Sequence, residues 1–194
     1  MLRLVIAGIA GGVAMFVWSS IAHMVLPLGN MGIQEIPNDE SVTTAMDAAI
    51  GTKSGLYMFP SVGLPADATA ENKTEAMALY DQKLATRSSG LLLYHPPGAE
   101  GLTGARLVTE FITELFEALV IAFVLATTAL VTFAARFGLV AALAAAAAVT
   151  TNVPYWNWYG FPVDYTLGYM SVEFVAYLVA GLAAMFIVKP LVKA

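Results

Sequence analysis

The sequence predicts a membrane α-helical protein: a four-transmembrane-helix bundle with a small extracytoplasmic β-α-β-α-β domain inserted between helices 1 and 2. Three observations predict it. Of 194 residues, 59% are hydrophobic and only 12% charged, too few charges for an ordinary water-soluble surface. Four apolar segments approach or exceed the length needed to cross a ~30 Å hydrocarbon core, which takes about 20 helical residues at a rise of ~1.5 Å each. Most of the acidic residues and turn formers collect in one intervening stretch, from Leu28 to about Gly104.

Residues 1–27 supply the first span, through the charge-free run Leu4 to Leu26. A cleaved leader is the rival reading, because Arg3 precedes the run and Ser20-Ile21-Ala22 has a small-x-small form. Retention is favoured: the apolar run continues through Met24, Val25 and Leu26, and Trp18 interrupts a typical leader core. Residues 28–104 form the inserted domain. Gly32 to Pro37 reads as a strand, and Asn38-Asp39-Glu40-Ser41 offers N-caps for a helix to about Ile50, stopped by Gly51. Gly55 to Phe59 reads as a second strand ended by Pro60, and Glu71 to Ala85 as a helix. Gly90 to His95 reads as a third strand closed by Pro96-Pro97-Gly98. A core this small leans on other elements or on a partner for stability.

Residues 105–194 hold the remaining spans, Leu107 to Ala135, Phe137 to about Val153 and Leu167 to Val188, with an aromatic outer loop at 154–166. Arg3, Arg136, Lys189 and Lys193 would share one side, whereas Thr151 to Tyr165 has no Lys or Arg. The positive-inside rule then puts both termini in the cytoplasm and residues 28–104 outside. The natural setting is a bacterial inner membrane with the domain in the periplasm.

Composition also excludes chemistry. The chain has no cysteine, so disulfides, thiolate metal sites and cysteine nucleophiles are ruled out. A net charge of −5 with no basic cluster removes the electrostatic basis for nucleic-acid binding. No phosphate-binding glycine loop, G-x-S-x-G elbow or H-E-x-x-H is present, so no catalytic residue is assigned. Ser19-Ser20 lies one turn from His23, but hydroxyls in apolar helices commonly satisfy backbone or neighbouring-helix acceptors.

The most informative polar feature is Arg106, Glu110, Glu114 and Glu117, spaced i, i+4, i+8 and i+11 on one helical stripe. Charges inside a span are costly and face a bundle interior, a water-filled cavity or each other; Glu117, the deepest, is least easily explained by solvation. The plain alternative is an outer-turn stripe reaching headgroup water, with Arg106 paired to Glu110. Glu173 belongs to the outer turns of the last span and Asp164 to the loop before it. If the helices close into a bundle, His23, Glu114, Glu117 and Glu173 converge as imidazole and carboxylate donors able to hold a metal ion. A helix-end hydrogen bond is the commoner fate of a lone histidine, no Glu-x-x-His pair exists, and no cofactor is assigned. Haem on His23 or His95 is weaker still, since no attachment motif is present.

Tyr155, Trp156, Trp158, Tyr159 and Phe161 crowd the segment Pro154 to Pro162, either as interfacial anchors or as a surface for lipid or another subunit. Gly8 and Gly12, Ala141 to Ala148 and Gly181 provide small faces for close helix packing, within one copy, a homo-oligomer or a larger membrane complex. With "GLYMFP", "LLLYHPPG" and "PYWNWYGFPVDYTLGYM", the chain is similar over most of its length to a family of bacterial four-span integral membrane proteins without an assigned activity. The W-N-W-Y-G-F-P string is its most specific part. The resemblance implies the four-span plan and no residue role. The leading expectation is a non-catalytic membrane subunit presenting its outer domain and aromatic loop to a protein or lipid. A small transporter or proton-linked channel using the outer carboxylates is second, and a metal-dependent membrane enzyme or sensor third.

Overall fold

A computed structural model describes residues 1–64 and 67–189; Lys193, assigned above to the cytoplasmic side, lies outside the described residues. The fold is mostly helical, with α1 (Leu2–Met24), α2 (Asp39–Ile50), β1 (Gly55–Phe59), α3 (Ala70–Thr86), β2 (Gly90–Tyr94), α4 (Gly104–Thr127), α5 (Phe133–Tyr159) and α6 (Val163–Ile187). It divides into two compact units, Met1–Gln34 joined with the described residues from Gly101 onward, and Glu35–Glu100.

In the first unit α6 packs against α1, α4 and α5, and α1 packs along α4. Small residues make this possible. A Cβ on Gly12 would stand 2.8 Å from the Leu115 Cα, so only hydrogen lets α1 and α4 approach this closely. Gly181 of α6 faces Val140 of α5 in the same way. The interior is built from Ala7, Met15, Ile121, Leu125, Val140, Ala180 and neighbouring residues. Large apolar side chains point the other way: Val5, Ile9, Val13 and Val17 recur every fourth residue on the exposed face of α1, and Ile112, Phe116, Val120 and Phe123 every third or fourth on that of α4. Small-inside, large-apolar-outside is the reverse of a water-soluble bundle and suits hydrocarbon as the surrounding medium.

Three helices, α1, α5 and α6, are long and apolar enough to cross a membrane. The fourth expected span, α4, differs because its last 18 residues carry Glu110, Glu114 and Glu117. The expected second helix, Leu107 to Ala135, also overran a break. Thr128 is extended, and the Thr132 hydroxyl accepts from the Ala135 amide, so the end of that run caps and begins α5. At the other end α5 continues through the segment read as loop: Pro154 lies inside the helix, and Gly160, left-handed at φ 70°, ends it. The expected loop 154–166 reduces to residues 160–162 before α6.

The second unit contains an antiparallel two-stranded sheet, with Gly55 opposite Tyr94 and Phe59 opposite Gly90. The expected strand at Gly32 to Pro37 does not form: Gly32 takes φ 72° and lies against Tyr165 of α6, and Pro37 has no amide to give a ladder. The expected β-α-β-α-β order is therefore α-β-α-β. The Tyr94 hydroxyl bonds to Asp47 Oδ1 at 2.8 Å and to the Gly51 carbonyl at 2.7 Å, tying β2 to the end of α2. Helix α3 starts with a reciprocal cap in which the Thr69 hydroxyl accepts from the Asn72 amide and the Asn72 side chain accepts from the Thr69 amide. Lys83 of α3 donates to the Ser61 carbonyl just beyond β1 at 2.8 Å. Among the described residues of this unit only Pro60 and Tyr94 are buried, a core thinner than an independent domain needs.

Candidate functional site: an acidic cavity between four helices

A cavity of about 420 Å³ lies among α1, α4, α5 and α6. It draws on the C-terminal half of α1 (Met15, Ser19, His23), the N-terminal half of α4 (Glu110 to Glu117), the C-terminal half of α5 (Ala147 to Thr151) and the middle of α6 (Tyr169 to Tyr177). The opposite halves of the same helices carry the apolar core residues Ala7, Leu125, Val140 and Ala184. Helix α1 therefore runs antiparallel to α4 and α6, and α5 antiparallel to α6, with the cavity residues at one end and these apolar residues at the other. Next to the cavity, the largest fully buried side chains are the apolar Met15, Ile121, Leu125 and Val140.

Four carboxylates, Glu110, Glu114, Glu117 and Glu173, line the cavity, and among the described residues no Lys or Arg does. On α4 the i, i+4, i+7 spacing spreads three of them over about 10 Å of depth. Arg106 is exposed in the first turn, outside the cavity wall. His23 is exposed at the rim beneath the turn Pro27–Asn30, where a Cβ on Gly29 would collide with its ring.

Two of the carboxylates are held by donors from other helices. Ser19 of α1 donates to Glu114 Oε1 at 2.5 Å, and Asn152 of α5 donates to Glu173 Oε2 at 2.8 Å. Glu114 is only 4% exposed, and its Oε2 is buried with no hydrogen-bond partner. Trp18 Nε1 donates to the Val172 carbonyl at 2.9 Å and locks α1 against α6 beside the cavity. Pro154 has no amide to offer the Thr150 carbonyl one turn earlier, so helix α5 is one internal hydrogen bond short where Thr150 and Thr151 line the wall.

Sequence reasoning passed over Ser19 and missed Asn152, Tyr169 and Tyr177. The polar triplet Thr150-Thr151-Asn152, one residue past the alanine run, marks a polar place on the helix without naming its partner. Among the described residues no group of three His, Asp or Glu side chains comes together as a metal site, so His23, Glu114, Glu117 and Glu173 share a cavity without forming a coordination shell. Asp164 lies near Gly32, away from the cavity wall.

The aromatic segment is continuous with the rim. Ring centroids step from Tyr155 to Phe161 (5.2 Å), Tyr165 (5.3 Å), Tyr169 (4.5 Å, stacked) and His23 (5.8 Å). Trp156, Trp158 and Tyr159 remain exposed.

Compared with models of protein families, with curated proteins and with solved structures, the chain matches none.

Proposed function

We propose that the chain is a small integral membrane protein of four spans that binds a cation in the acidic cavity, as a transporter or proton-linked carrier does. The observation that carries this reading is Glu114: an almost fully buried carboxylate with one donor, Ser19, and one unpartnered oxygen, on a residue that lines a cavity shared with three more carboxylates. Burying acidic groups together is unfavourable unless protons or a cation offset it. The fully buried apolar side chains Met15, Ile121, Leu125 and Val140 in the other half of the bundle favour a binding-and-rearrangement cycle over an open pore. The outward Ile112, Phe116, Val120 and Phe123 support α4 as the fourth span, its carboxylates turned inward. Even span number and the placement of Arg3, Arg136 and Lys189 support cytoplasmic termini, with residues 28–104 on the outer face of a bacterial inner membrane.

Proteoliposomes carrying a pH-sensitive dye test this reading. An imposed cation gradient is expected to drive proton movement with the wild type and not with Glu114→Gln. Identical traces from wild type, Glu114→Gln and protein-free vesicles would overturn it.

The accessory-subunit reading has its own support in the second unit. Leu56 and Leu93, cross-strand partners, are 67% and 68% exposed, an apolar pair that water does not favour. A protein recovered in constant ratio from native membranes, and lost with Leu56→Asp, would favour it.

A further inference from the structure

The cavity wall is more than acidic, and its other residues narrow what it would hold. Inorganic divalent ions need several oxygens converging at about 2.0–2.6 Å, yet the carboxylates here do not gather as a ligand set among the described residues. They are spread along the wall, which also carries the rings of Tyr169 and Tyr177 from α6 and of His23 at the rim. Tyr169 is held by two aromatic neighbours, stacked on Tyr165 at 4.5 Å and edge-on to His23 at 5.8 Å. A preset ring next to dispersed carboxylates is the arrangement that recognises a bulky, weakly hydrated cation, attracted to the ring quadrupole and to negative charge without close coordination. The acidic residues do not stand alone as the argument, because Glu114, a lining residue only 4% exposed, keeps one carboxylate oxygen, Oε2, without a partner. At about 420 Å³ the cavity has room for a small organic molecule and is oversized for a single dehydrated metal ion.

We propose that the cavity takes a compact organic ammonium ion, a protonated amine or a quaternary ammonium, seated between Glu114 and Glu173 and against the ring of Tyr169. The inference rests on the cation-binding reading above and specifies its ligand class. Tyr169 acts here as a specificity-determining residue and Glu114 as the charge partner. A protonated amine can also donate hydrogen bonds to carboxylates, and a quaternary ammonium cannot, so the two sources separate by how strongly each depends on Glu114.

The test is calorimetric titration of the full chain in detergent with tetramethylammonium chloride, methylammonium chloride and sodium chloride at matched ionic strength. At least one organic ion is expected to bind more than about tenfold tighter than sodium. Tyr169→Leu is expected to weaken that binding by about fivefold while Tyr169→Phe, which keeps the ring, leaves it nearly unchanged. Glu114→Gln is expected to weaken it by at least about tenfold. Each variant is first checked for a monodisperse profile by size exclusion; if Tyr169→Leu fails that check, Tyr169→Met takes its place. Sodium binding as tightly as the organic ions, or organic binding indifferent to loss of the ring, would overturn this inference and leave the cation site standing. Well-folded protein that binds none of the three ions would overturn both.

Discussion

Ser19 and Glu114 lie 95 residues apart in the sequence and meet at 2.5 Å, the α1 hydroxyl donating to one carboxylate oxygen while the other is left buried and unpartnered. This contact sets the position of the most enclosed acid in the cavity. Its neighbour Ser20 donates only to the Phe16 carbonyl of its own helix at 2.7 Å. The pair of serines therefore makes an internal control. Ser19→Ala is expected to destabilise the detergent-solubilised protein by about 1–3 kcal/mol, the cost of removing a donor from a buried acceptor. Ser20→Ala is expected to change stability by less than about 0.5 kcal/mol. Thermal unfolding followed by circular dichroism measures both, and equal effects would sever the link between Ser19 and the cavity.

Asn152 plays the matching part for Glu173 across α5 and α6, and it also bonds back to the Ala148 carbonyl at 2.9 Å. A double-mutant cycle with Asn152→Leu and Glu173→Gln is expected to give a coupling of about 0.6–1.7 kcal/mol, the range for side-chain hydrogen bonds between membrane helices. Additive effects would mean that the two residues do not hold each other.

The α4 stripe is legible in the sequence because helical periodicity is local: Glu110, Glu114 and Glu117 fall on one face whatever the rest of the chain does. Bringing His23 and Glu173 to the same cavity requires only that successive helices alternate in direction. Asn152 was not legible as a site residue, since its partner lies on another helix and its role exists only once α5 and α6 pack. The helix limits failed for a related reason. Thr128 and Thr132 are unremarkable inside an apolar run until one of them caps α5, and Pro154 reads as a stop although the helix absorbs it. The strand expected at Gly32 to Pro37 failed because neighbouring chain competes for it: Gly32 is packed against Tyr165.

Close approach of α1 and α4 depends on Gly12, whose added Cβ would meet the Leu115 backbone at 2.8 Å. Backbone cannot swing aside as a side chain can. Gly12→Ala is expected to cost about 1–3 kcal/mol and, two turns before Ser19, to weaken the Ser19–Glu114 contact and cation binding with it. Gly138, with nothing within 4 Å of its added Cβ, is the comparison: Gly138→Ala is expected to be neutral or stabilising by up to about 1 kcal/mol. Unfolding midpoints in the same detergent decide between them.

The second unit offers a titration. Burial first, and then the Asp47 carboxylate beside it, push the Tyr94 phenol above its ordinary value of 10.0. The folded unit thus prefers the neutral phenol. Its contribution to stability is complete below pH 10 and is lost as pH rises from there through the raised folded value. Near-ultraviolet circular dichroism between pH 8 and 11.5 is expected to show the wild type losing structure that Tyr94→Phe already lacks, and Tyr94→Phe is expected to flatten that part of the profile. Parallel profiles would mean that the contact to Asp47 and Gly51 does not hold β2 to α2.

Topology gives the sharpest test of the four-span plan, because α4 carries three carboxylates that an independent span would not readily tolerate. Its tolerance is explained if the carboxylates face a hydrated cavity and the opposite face, with Phe116 and Phe123, meets lipid. If α4 instead lay on the surface, the odd number of remaining spans would put the termini on opposite sides. The absence of native cysteine makes single-cysteine labelling free of background. In intact cells a membrane-impermeant maleimide is expected to modify Ser88→Cys, in the stretch between α3 and β2, without permeabilisation. Ala134→Cys, exposed in the first turn of α5, is expected to react only after permeabilisation. Both positions reacting from outside would remove α4 from the membrane, and with it the reason for reading its acids as the wall of an enclosed site.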